Sequence, residues 1–125
     1  MITLSKRQVI RLHKLLIENT GGLDGLRDNN MLESALLSAF QTFDGIDLYP
    51  TVLEKITRIS YNLIINHPFI DGNKRIGTYV LLVLLELNNI EIKLTDEEIV
   101  KIGVNIADGK MNDKKLLKYI NKFFK

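Results

Sequence analysis

Val80-Leu-Leu-Val-Leu-Leu85 is an uninterrupted apolar run in a chain of 125 residues. It lies in a segment that we expect to be helical from Asn73 to about Asn88. A helix with no polar face is stable only where other helices surround it. The run therefore predicts a central helix, and it favours an all-α fold of about six helices packed around that centre.

Two helices are expected before this centre, in the first 40 residues. Ser5 and Gln8 have the spacing of a capping box, which begins a first helix, and Gly21-Gly22 ends it. Asp28 is a good cap for a second helix that extends to Ala39.

A turn and a third helix follow. Asp44-Gly45 marks the turn, and we expect residues 45–50 to be irregular or to form a short hairpin. Thr51 and Glu54 again have capping-box spacing, and apolar residues then recur at helical intervals to about Asn66.

The remaining helices have clear boundaries as well. His67-Pro68 stops the third helix, because proline disfavours the helical region for the residue before it. Thr95–Glu98 has the pattern of a capping box for a fifth helix, and a last helix begins at Asn112 or Asp113 and extends to Phe123-Phe124.

The composition is that of an ordinary globular domain. The chain is 46% hydrophobic and 26% charged, and its net charge of +2 is too small to indicate a dedicated nucleic-acid binder. Cysteine is absent, which excludes disulfides, thiolate nucleophiles and cysteine-based zinc sites. We find no signal-peptide pattern and no apolar run of membrane-spanning length, so we expect one cytoplasmic domain over residues 1–125.

Polar and conformationally permissive residues fill the break between the third and fourth helices, from Asn66 to Arg75. The first amides of the following helix have no partner within the helix and carry the positive end of its dipole, which makes an anion site. Gly72 permits close approach of a phosphate, and Lys74 and Arg75 add positive charge where it disfavours the helix itself. The pattern indicates an anionic ligand.

His67 and Asp71 add reactive groups to the same loop. Imidazole titrates near neutral pH, so His67 is suited to accept a proton. Asp71 offers a hard carboxylate oxygen of the kind that Mg²⁺ takes together with phosphate oxygens and water. The two residues indicate activation of a hydroxyl beside a magnesium-bound polyphosphate.

Each of these residues also has a simpler interpretation. Asp71 can be a helix cap in a turn, and His67 can bond a carbonyl at a helix end. Lys74 and Arg75 can be solvated charges. These alternatives explain the residues one at a time, whereas an anionic ligand explains them together. Phe69 is expected to be a core anchor that holds the loop down.

Two features outside the loop receive structural interpretations. His13 stands between charged neighbours and is expected to be exposed. The last helix is expected to have a solvated basic face over a packed apolar one, with contact to an acidic partner or nucleic acid as the alternative. Its lysines are Lys114, Lys115, Lys118, Lys122 and Lys125, and its apolar residues are Leu116, Leu117, Ile120 and Phe124.

His67-Pro-Phe-Ile-Asp-Gly-Asn-Lys-Arg75 resembles the signature loop of the Fic/Doc superfamily, His-x-Phe-x-Asp/Glu-Gly/Ala-Asn-x-Arg. The likeness extends along essentially the whole chain and is closest to the death-on-curing (Doc) branch. The segments similar to that branch are Gly21-Gly22 to Gly25, Arg27-Asp28, Leu32-Glu33-Ser34-Ala35, Leu48-Tyr49-Pro50-Thr51 and Leu87-Asn88-Asn89. The resemblance implies a compact helical fold.

The resemblance also implies an activity, the transfer of AMP or phosphate from ATP to a hydroxyl of a protein substrate. It implies His67 as the general base and Asp71 as the Mg²⁺ ligand. The phosphate contacts it implies are Asn73, Lys74 and Arg75, with the backbone amides from Ile70 to Asn73, Gly72 among them, forming an anion hole.

Family members carry a flap that positions the protein substrate, and here it corresponds to the segment before the third helix. The resemblance therefore implies substrate docking by Leu48 and Tyr49. Plain core packing of these two residues is the alternative.

Two positions depart from the AMP-transferring members. Lys74 stands where those members usually carry Gly, and Thr78 stands where they carry a second Arg. A Lys side chain occupies space that Gly leaves for the usual nucleotide pose, and the missing Arg removes a phosphate clamp. Both departures are Doc-like. By resemblance to that branch, they imply that the nucleotide binds in the reversed orientation and that its γ-phosphate is transferred to elongation factor Tu. AMP transfer is the alternative.

Doc-type proteins resemble one another in being toxins held by an antitoxin. Members that restrain themselves carry an inhibitory helix reading Ser/Thr-x-x-x-Glu-Gly/Asn. The nearest stretch here is Thr20-Gly-Gly-Leu-Asp24-Gly25, with Asp for Glu and two glycines that oppose a helix. We therefore expect a separate antitoxin that inhibits in trans, no membrane partner, and nucleic acid only through the antitoxin. A non-catalytic co-repressor module that works with its antitoxin is the remaining alternative.

Overall fold

The fold is built almost entirely from helices, as the sequence predicts. The structure is a computed structural model that describes residues 1–123. Its elements are α1 (Lys6–Thr20), α2 (Asn29–Leu37), a 3-10 turn (Ser38–Phe40), β1 (Thr42–Phe43), β2 (Ile46–Asp47), α3 (Val52–Asn66), α4 (Asn73–Leu87), α5 (Asp96–Ala107) and α6 (Asp113–Asn121).

Helix α4 is the centre of the fold, which confirms the prediction from its apolar run. It packs against α3, α5 and α1, and its residues from Ile76 to Leu85 are buried or half-buried except for Tyr79. The approach to α3 is close at Gly77, where a Cβ would lie 2.4 Å from Ile64 Cγ1. The Ser60 hydroxyl donates to the Gly77 carbonyl across the same contact at 2.8 Å. This close packing against α3 fixes the position of α4 and therefore of its N-terminus.

The predicted N-terminal caps are nearly all present. Ser5 and Thr95 form complete capping boxes with Gln8 and Glu98. The side chains of Asp28 and Asn112 each accept an amide hydrogen bond at the start of α2 and α6.

The predicted capping box at Thr51 and Glu54 is only half correct. The Thr51 hydroxyl accepts from the Glu54 amide at 3.1 Å, but the Glu54 carboxylate accepts from that hydroxyl and not from the Thr51 amide. One cap hydrogen bond is sufficient here, since α3 still begins at Val52 and ends at Asn66 as expected.

Two helix ends differ from the prediction. The α-helical part of α2 ends at Leu37, and the chain continues to Phe40 as a 3-10 turn. Helix α6 ends at Asn121, before the expected Phe123. Phe124 and Lys125 lie outside the described residues. The expected basic face of α6 is confirmed for the described part, where Leu116 and Ile120 are buried and the lysines are exposed.

The segment after the 3-10 turn contains a hairpin, one of the two forms expected, but it spans Thr42–Asp47 and not the expected residues 45–50. Strands β1 and β2 pair antiparallel through Thr42–Asp47 and Phe43–Ile46. Asp44 and Gly45 connect them with φ angles of 54° and 78°, the pair of positive values that a tight hairpin turn requires. No helix among residues 1–123 combines the length and apolarity needed to cross a membrane.

Candidate active site

The loop of residues 67–72 joins α3 to α4, and it begins with a strained residue. His67 follows the last turn of α3 and has φ 50° and ψ 54°, the left-handed conformation. A non-glycine residue there costs on the order of 1–3 kcal/mol and persists only where its surroundings enforce it. The next residue, Pro68, disfavours continuation of the helix through His67. The position of His67 is thus imposed by the fold around it.

The imidazole of His67 is exposed and has a defined proton arrangement. Its Nδ1 lies 3.3 Å from the carbonyl oxygen of Ile65. A carbonyl only accepts, so Nδ1 carries the hydrogen in the neutral ring, and the lone pair is on Nε2. The structure therefore gives His67 a solvent-accessible nitrogen that can take a proton.

Asp71 is held as an ionised carboxylate by backbone amides. Its Oδ2 accepts from the Leu23 amide at 3.1 Å, and its Oδ1 accepts from the Gly72 amide at 2.8 Å. These two donors, the Leu23 amide first, lower the pKa of Asp71 below its ordinary value of 3.8. The side chain is 44% exposed, so each oxygen keeps a lone pair for a further ligand.

The N-terminus of α4 has free amides. Gly72 is its cap with φ 76° and offers no side chain to the first turn, and the Ile76 amide is the first to bond back, to the Gly72 carbonyl at 2.8 Å. Within residues 1–123 the amides of Asn73, Lys74 and Arg75 find no acceptor. Three free donors at the positive end of a helix dipole make an anion site.

The amides implied as an anion hole are only partly available in this structure. The Ile70 amide donates to the Gly25 carbonyl at 3.0 Å, and the Gly72 amide donates to Asp71. The amide group of the Asn73 side chain is engaged too, because it donates to and accepts from the Phe69 backbone at 2.9 Å each. Direct phosphate contacts by Ile70, Gly72 and Asn73 stay predictions.

Lys74 and Arg75 differ in their surroundings. Arg75 donates through Nη1 to the Thr20 hydroxyl and the Gly21 carbonyl, both at 2.7 Å, and its Nη2 lies 3.7 Å from Asp71 Oδ1. Lys74 is exposed and forms no ion pair with any described residue. Lys74 is thus a charge free to meet a ligand, whereas Arg75 also fastens α4 to the end of α1.

A groove of about 540 Å³ opens beside these two cations, between α1, α4 and α5. Its walls are largely apolar and include Leu16, Tyr79 and Val100. Thr78 lines it as well, but its hydroxyl bonds the Lys74 and Arg75 carbonyls within the helix. Lys74 and Arg75 are the cations of this groove, and Thr78 adds none.

His13 belongs to the site, so the prediction that it is exposed is wrong. It is 1% exposed, and its ring stacks on Phe69 with centroids 3.8 Å apart and planes 7° from parallel. Its Nε2 lies 2.7 Å from the Asp71 carbonyl oxygen and must donate to it. Val9, His13 and Ile17 are the buried residues of α1, and their four-residue spacing is the signal that places His13 on the inner face.

Phe69 is the core anchor that the sequence predicts. It is 1% exposed and is among the largest fully buried side chains of the described residues. Its backbone is bonded to Asn73 on one side, and it forms an antiparallel bridge with Leu26 on the other. The middle of the loop is therefore fixed by packing and by hydrogen bonds.

Residues 22–28, which we call the strap, run along the whole loop. The strap supplies the Leu23 amide to Asp71, the Gly25 carbonyl to Ile70 and the Arg27 amide to the Pro68 carbonyl. A Cβ at Gly22, where φ is 115°, would lie 2.6 Å from Asp71 Oδ2. The strap can therefore approach the carboxylate only with glycine at that position.

The structure places the implied docking residues in different settings. Leu48 is 49% exposed and follows the hairpin. Tyr49 is half-buried, and the Arg58 guanidinium lies 5.1 Å from its ring centroid. Core packing does not describe Leu48, and contact of either residue with a substrate stays a prediction.

The chain belongs to the Fic/DOC family, because a model of that family matches residues 3–85. The loop, the strap, helices α1 to α3 and all but the last two residues of α4 lie within the matched range.

Among curated proteins, the chain is similar to Toxin Doc of Mycolicibacterium smegmatis, with 31% identity over 72 residues. The match covers 58% of this chain and 55% of that protein, so it spans little more than half of the relative's length.

Members of the Fic/DOC family use a nucleotide and a metal ion, and the site's donors are compatible with both. Within residues 1–123, no group of three His, Asp or Glu side chains could hold a metal ion. Asp71 is an ionised oxygen donor beside free amides, which suits an ion held mainly by the phosphates of its nucleotide. A metal would thus be bound together with the nucleotide.

Proposed function

We propose that this protein transfers the γ-phosphate of ATP to a Ser or Thr hydroxyl of a bacterial protein and acts as a toxin in the cytoplasm. The observation that carries the proposal is the pairing of a proton-accepting His67 with the free N-terminus of α4 in one rigid loop. One group accepts the proton of a hydroxyl, and the other binds the phosphate that the hydroxyl attacks.

The residues divide the reaction between them. His67 Nε2 takes the hydroxyl proton as the oxygen forms its bond to the γ-phosphorus, and the bond from that phosphorus to the β,γ-bridging oxygen breaks. ADP leaves with the electron pair of that bond. The amides of Asn73 and Lys74, with the Lys74 ammonium, stabilise the negative charge on the transferred phosphoryl group.

Asp71 would hold the Mg²⁺ ion, which when bound neutralises phosphate charge. The lowered pKa keeps Asp71 ionised throughout the physiological range, so no proton competes for this position. The Gly72 amide fixes this half-exposed carboxylate at the start of α4, beside the free amides that would bind the nucleotide.

Two features support phosphate transfer over AMP transfer. Lys74 is exposed at the N-terminus of α4, where its side chain competes with the nucleotide pose that a glycine permits. Thr78 is 6% exposed and spends its hydroxyl on helix carbonyls, so it supplies no clamp for a second phosphate. Both features favour the γ-phosphate as the group presented to His67.

We further propose that a cognate antitoxin inhibits the enzyme in trans. Gly21 ends α1, and the strap is engaged with the loop, so residues 20–25 form no inhibitory helix. Co-expression of a small protein encoded beside this gene is expected to restore growth to cells that the toxin arrests.

The transfer itself is tested with two labels. The pure protein is incubated with Mg²⁺ and either γ-³²P-ATP or α-³²P-ATP in a bacterial lysate, and elongation factor Tu is assayed as the named candidate substrate. We expect label on a protein from γ-³²P-ATP only, and none with His67→Ala. Label from α-³²P-ATP would identify AMP transfer. No transfer, with DNA binding alongside an antitoxin, would identify the non-catalytic co-repressor.

A further inference from the structure

The guanidinium of Arg27 binds the end of helix α3, next to His67. Its Nε donates to the His67 carbonyl at 2.6 Å, and its Nη2 donates to the Asn66 carbonyl at 3.0 Å. Helix C-termini carry unpaired carbonyls and partial negative charge, and α3 has no basic residue in its own last turn. Arg27, 40 residues earlier in the chain, supplies the missing cation.

The backbone of the strap fixes the next carbonyl. The amides of Arg27 and Asp28 both donate to the Pro68 carbonyl, at 2.8 and 3.0 Å. Three consecutive carbonyls, from Asn66 to Pro68, are therefore bound by two neighbouring residues of the strap. These carbonyls lie on both sides of the φ and ψ angles of His67, so their positions fix the backbone conformation and the Cα–Cβ direction from which its imidazole extends.

We propose that Arg27 is a positioning residue for His67, which holds the histidine in its left-handed conformation with Nε2 facing the substrate hydroxyl. The proposal rests on the proposed function, in which His67 is the general base. Arg27 contacts carbonyl oxygens and not the imidazole, so it acts through the backbone of His67. The planar fork of arginine suits two adjacent acceptors, whereas lysine keeps only the charge.

The kinetic test compares Arg27→Met and Arg27→Lys with Asp28→Ala. The Asp28 control loses the cap of α2, in which Asp28 Oδ1 accepts from the Met31 amide, and it leaves the Arg27 guanidinium in place. We expect Arg27→Met to lower kcat about 100-fold with the KM for ATP unchanged, since displacement of a reacting group by about 1 Å has that effect. Arg27→Lys should recover part of the loss, and Asp28→Ala should stay within about twofold of wild type.

A rise in the KM for ATP in Arg27→Met would overturn the proposal, because it would mean that Arg27 binds the nucleotide. Equal losses of kcat in Arg27→Met and Asp28→Ala, at equal losses of melting temperature, would also overturn it. If either variant is unfolded at the assay temperature, both variants and the wild type are assayed at a lower temperature at which melting curves show that all of them are folded.

A spectroscopic test needs no activity. The chain has two histidines, so long-range ¹H–¹⁵N spectra of the imidazoles are readily assigned with His67→Ala. At a pH where both rings are neutral, wild-type His67 should show the Nδ1–H form, and Arg27→Met should shift it to a mixture with Nε2–H. His13, fixed as Nε2–H by the Asp71 carbonyl, is the internal reference.

An unchanged His67 spectrum in Arg27→Met overturns the proposal whether or not the enzyme is active. A changed spectrum in a protein that transfers no phosphate supports the positioning by Arg27 and contradicts the proposed function. The two hypotheses can thus fail separately.

Discussion

The hairpin and the loop of residues 67–72 both contain an Asp-Gly turn, but the apolar side chains of the hairpin are exposed and that of Phe69 in the loop is buried. Asp44-Gly45 connects two short strands whose apolar side chains, Phe43 and Ile46, are 76% and 71% exposed. Asp71-Gly72 ends a loop whose Phe69 is 1% exposed. Identical turn residues therefore do not determine whether a segment is fixed or exposed, and the difference lies in what each segment contacts.

The contacts of the loop come from outside it. The strap, His13 and Asn73 bond its backbone, whereas the hairpin is tied to the body mainly by the ion pair of Lys55 with Asp47 and the bond from Lys55 to the Tyr49 carbonyl. A site that must hold a base and a phosphate in register benefits from the first arrangement. A surface that must adapt to a protein partner benefits from the second.

The largest expected effect is on the chemistry that we assign to the loop. If the proposed function holds, His67→Ala removes the proposed general base, and we predict that it lowers phosphate transfer about 100- to 10,000-fold and abolishes growth arrest. Its melting temperature should stay near that of wild type, because the side chain is exposed. Transfer of ³²P and circular dichroism measure the two quantities, and growth arrest that persists would contradict the assignment.

The contrast in burial is tested by a matched pair of phenylalanines. Phe69→Ala should lower the free energy of unfolding by about 3–5 kcal/mol, because it empties a packed position under the loop. Phe43→Ala, on the hairpin, should change it by less than about 0.5 kcal/mol. Urea unfolding measures both, and equal losses in the two variants would remove the distinction between the segments.

His13 tests whether the loop depends on α1. We predict that His13→Leu costs about 1–3 kcal/mol of stability, because it leaves the Asp71 carbonyl without its donor. Lys14→Ala, one residue along on the exposed face, is the control and should stay within about 0.5 kcal/mol. A loss in the control as large as that in His13→Leu would point to a general effect on α1.

The smallest effect concerns acid stability. The folded-state pKa of Asp71 lies below the ordinary 3.8, so its ionisation stabilises the folded protein above that value. The contribution is lost as the pH falls through the folded-state pKa. We predict a flatter acid limb of the stability curve below pH 3.8 for Asp71→Asn than for wild type. Urea unfolding at a series of acidic pH values measures it, and parallel curves would contradict the role of the Leu23 and Gly72 amides.

The sequence predicts the helical frame well, because the signals for it are local. The apolar run at Val80–Leu85 identifies the centre, and side-chain caps such as those of Ser5 and Thr95 identify where helices begin. The loop is also recognisable, since polar residues between two apolar helices stand out. The Asp44-Gly45 dipeptide likewise predicts a turn, because this signal is local.

What the sequence does not predict is the support of the loop. The charged neighbours of His13 in the chain predict an exposed side chain, although its spacing from Val9 and Ile17 is that of the buried face. The strap has irregular backbone, and its bonds to the loop join residues 40 and 48 positions apart. Such pairings follow from tertiary packing and leave no periodic signal in the residues themselves.

The strap also has a consequence for the order of events during protein synthesis. During translation, Arg27 is synthesised 40 residues before His67, and Leu23 is synthesised 48 residues before Asp71. Helix α4 in turn rests on α5, where Gly103 would place a Cβ 3.4 Å from Lys74 Cβ. A growing chain that stops before α5 has made every residue of the loop and the strap but lacks the surface against which α4 packs. The order of the site therefore depends on a helix that is synthesised after every residue of the loop and the strap.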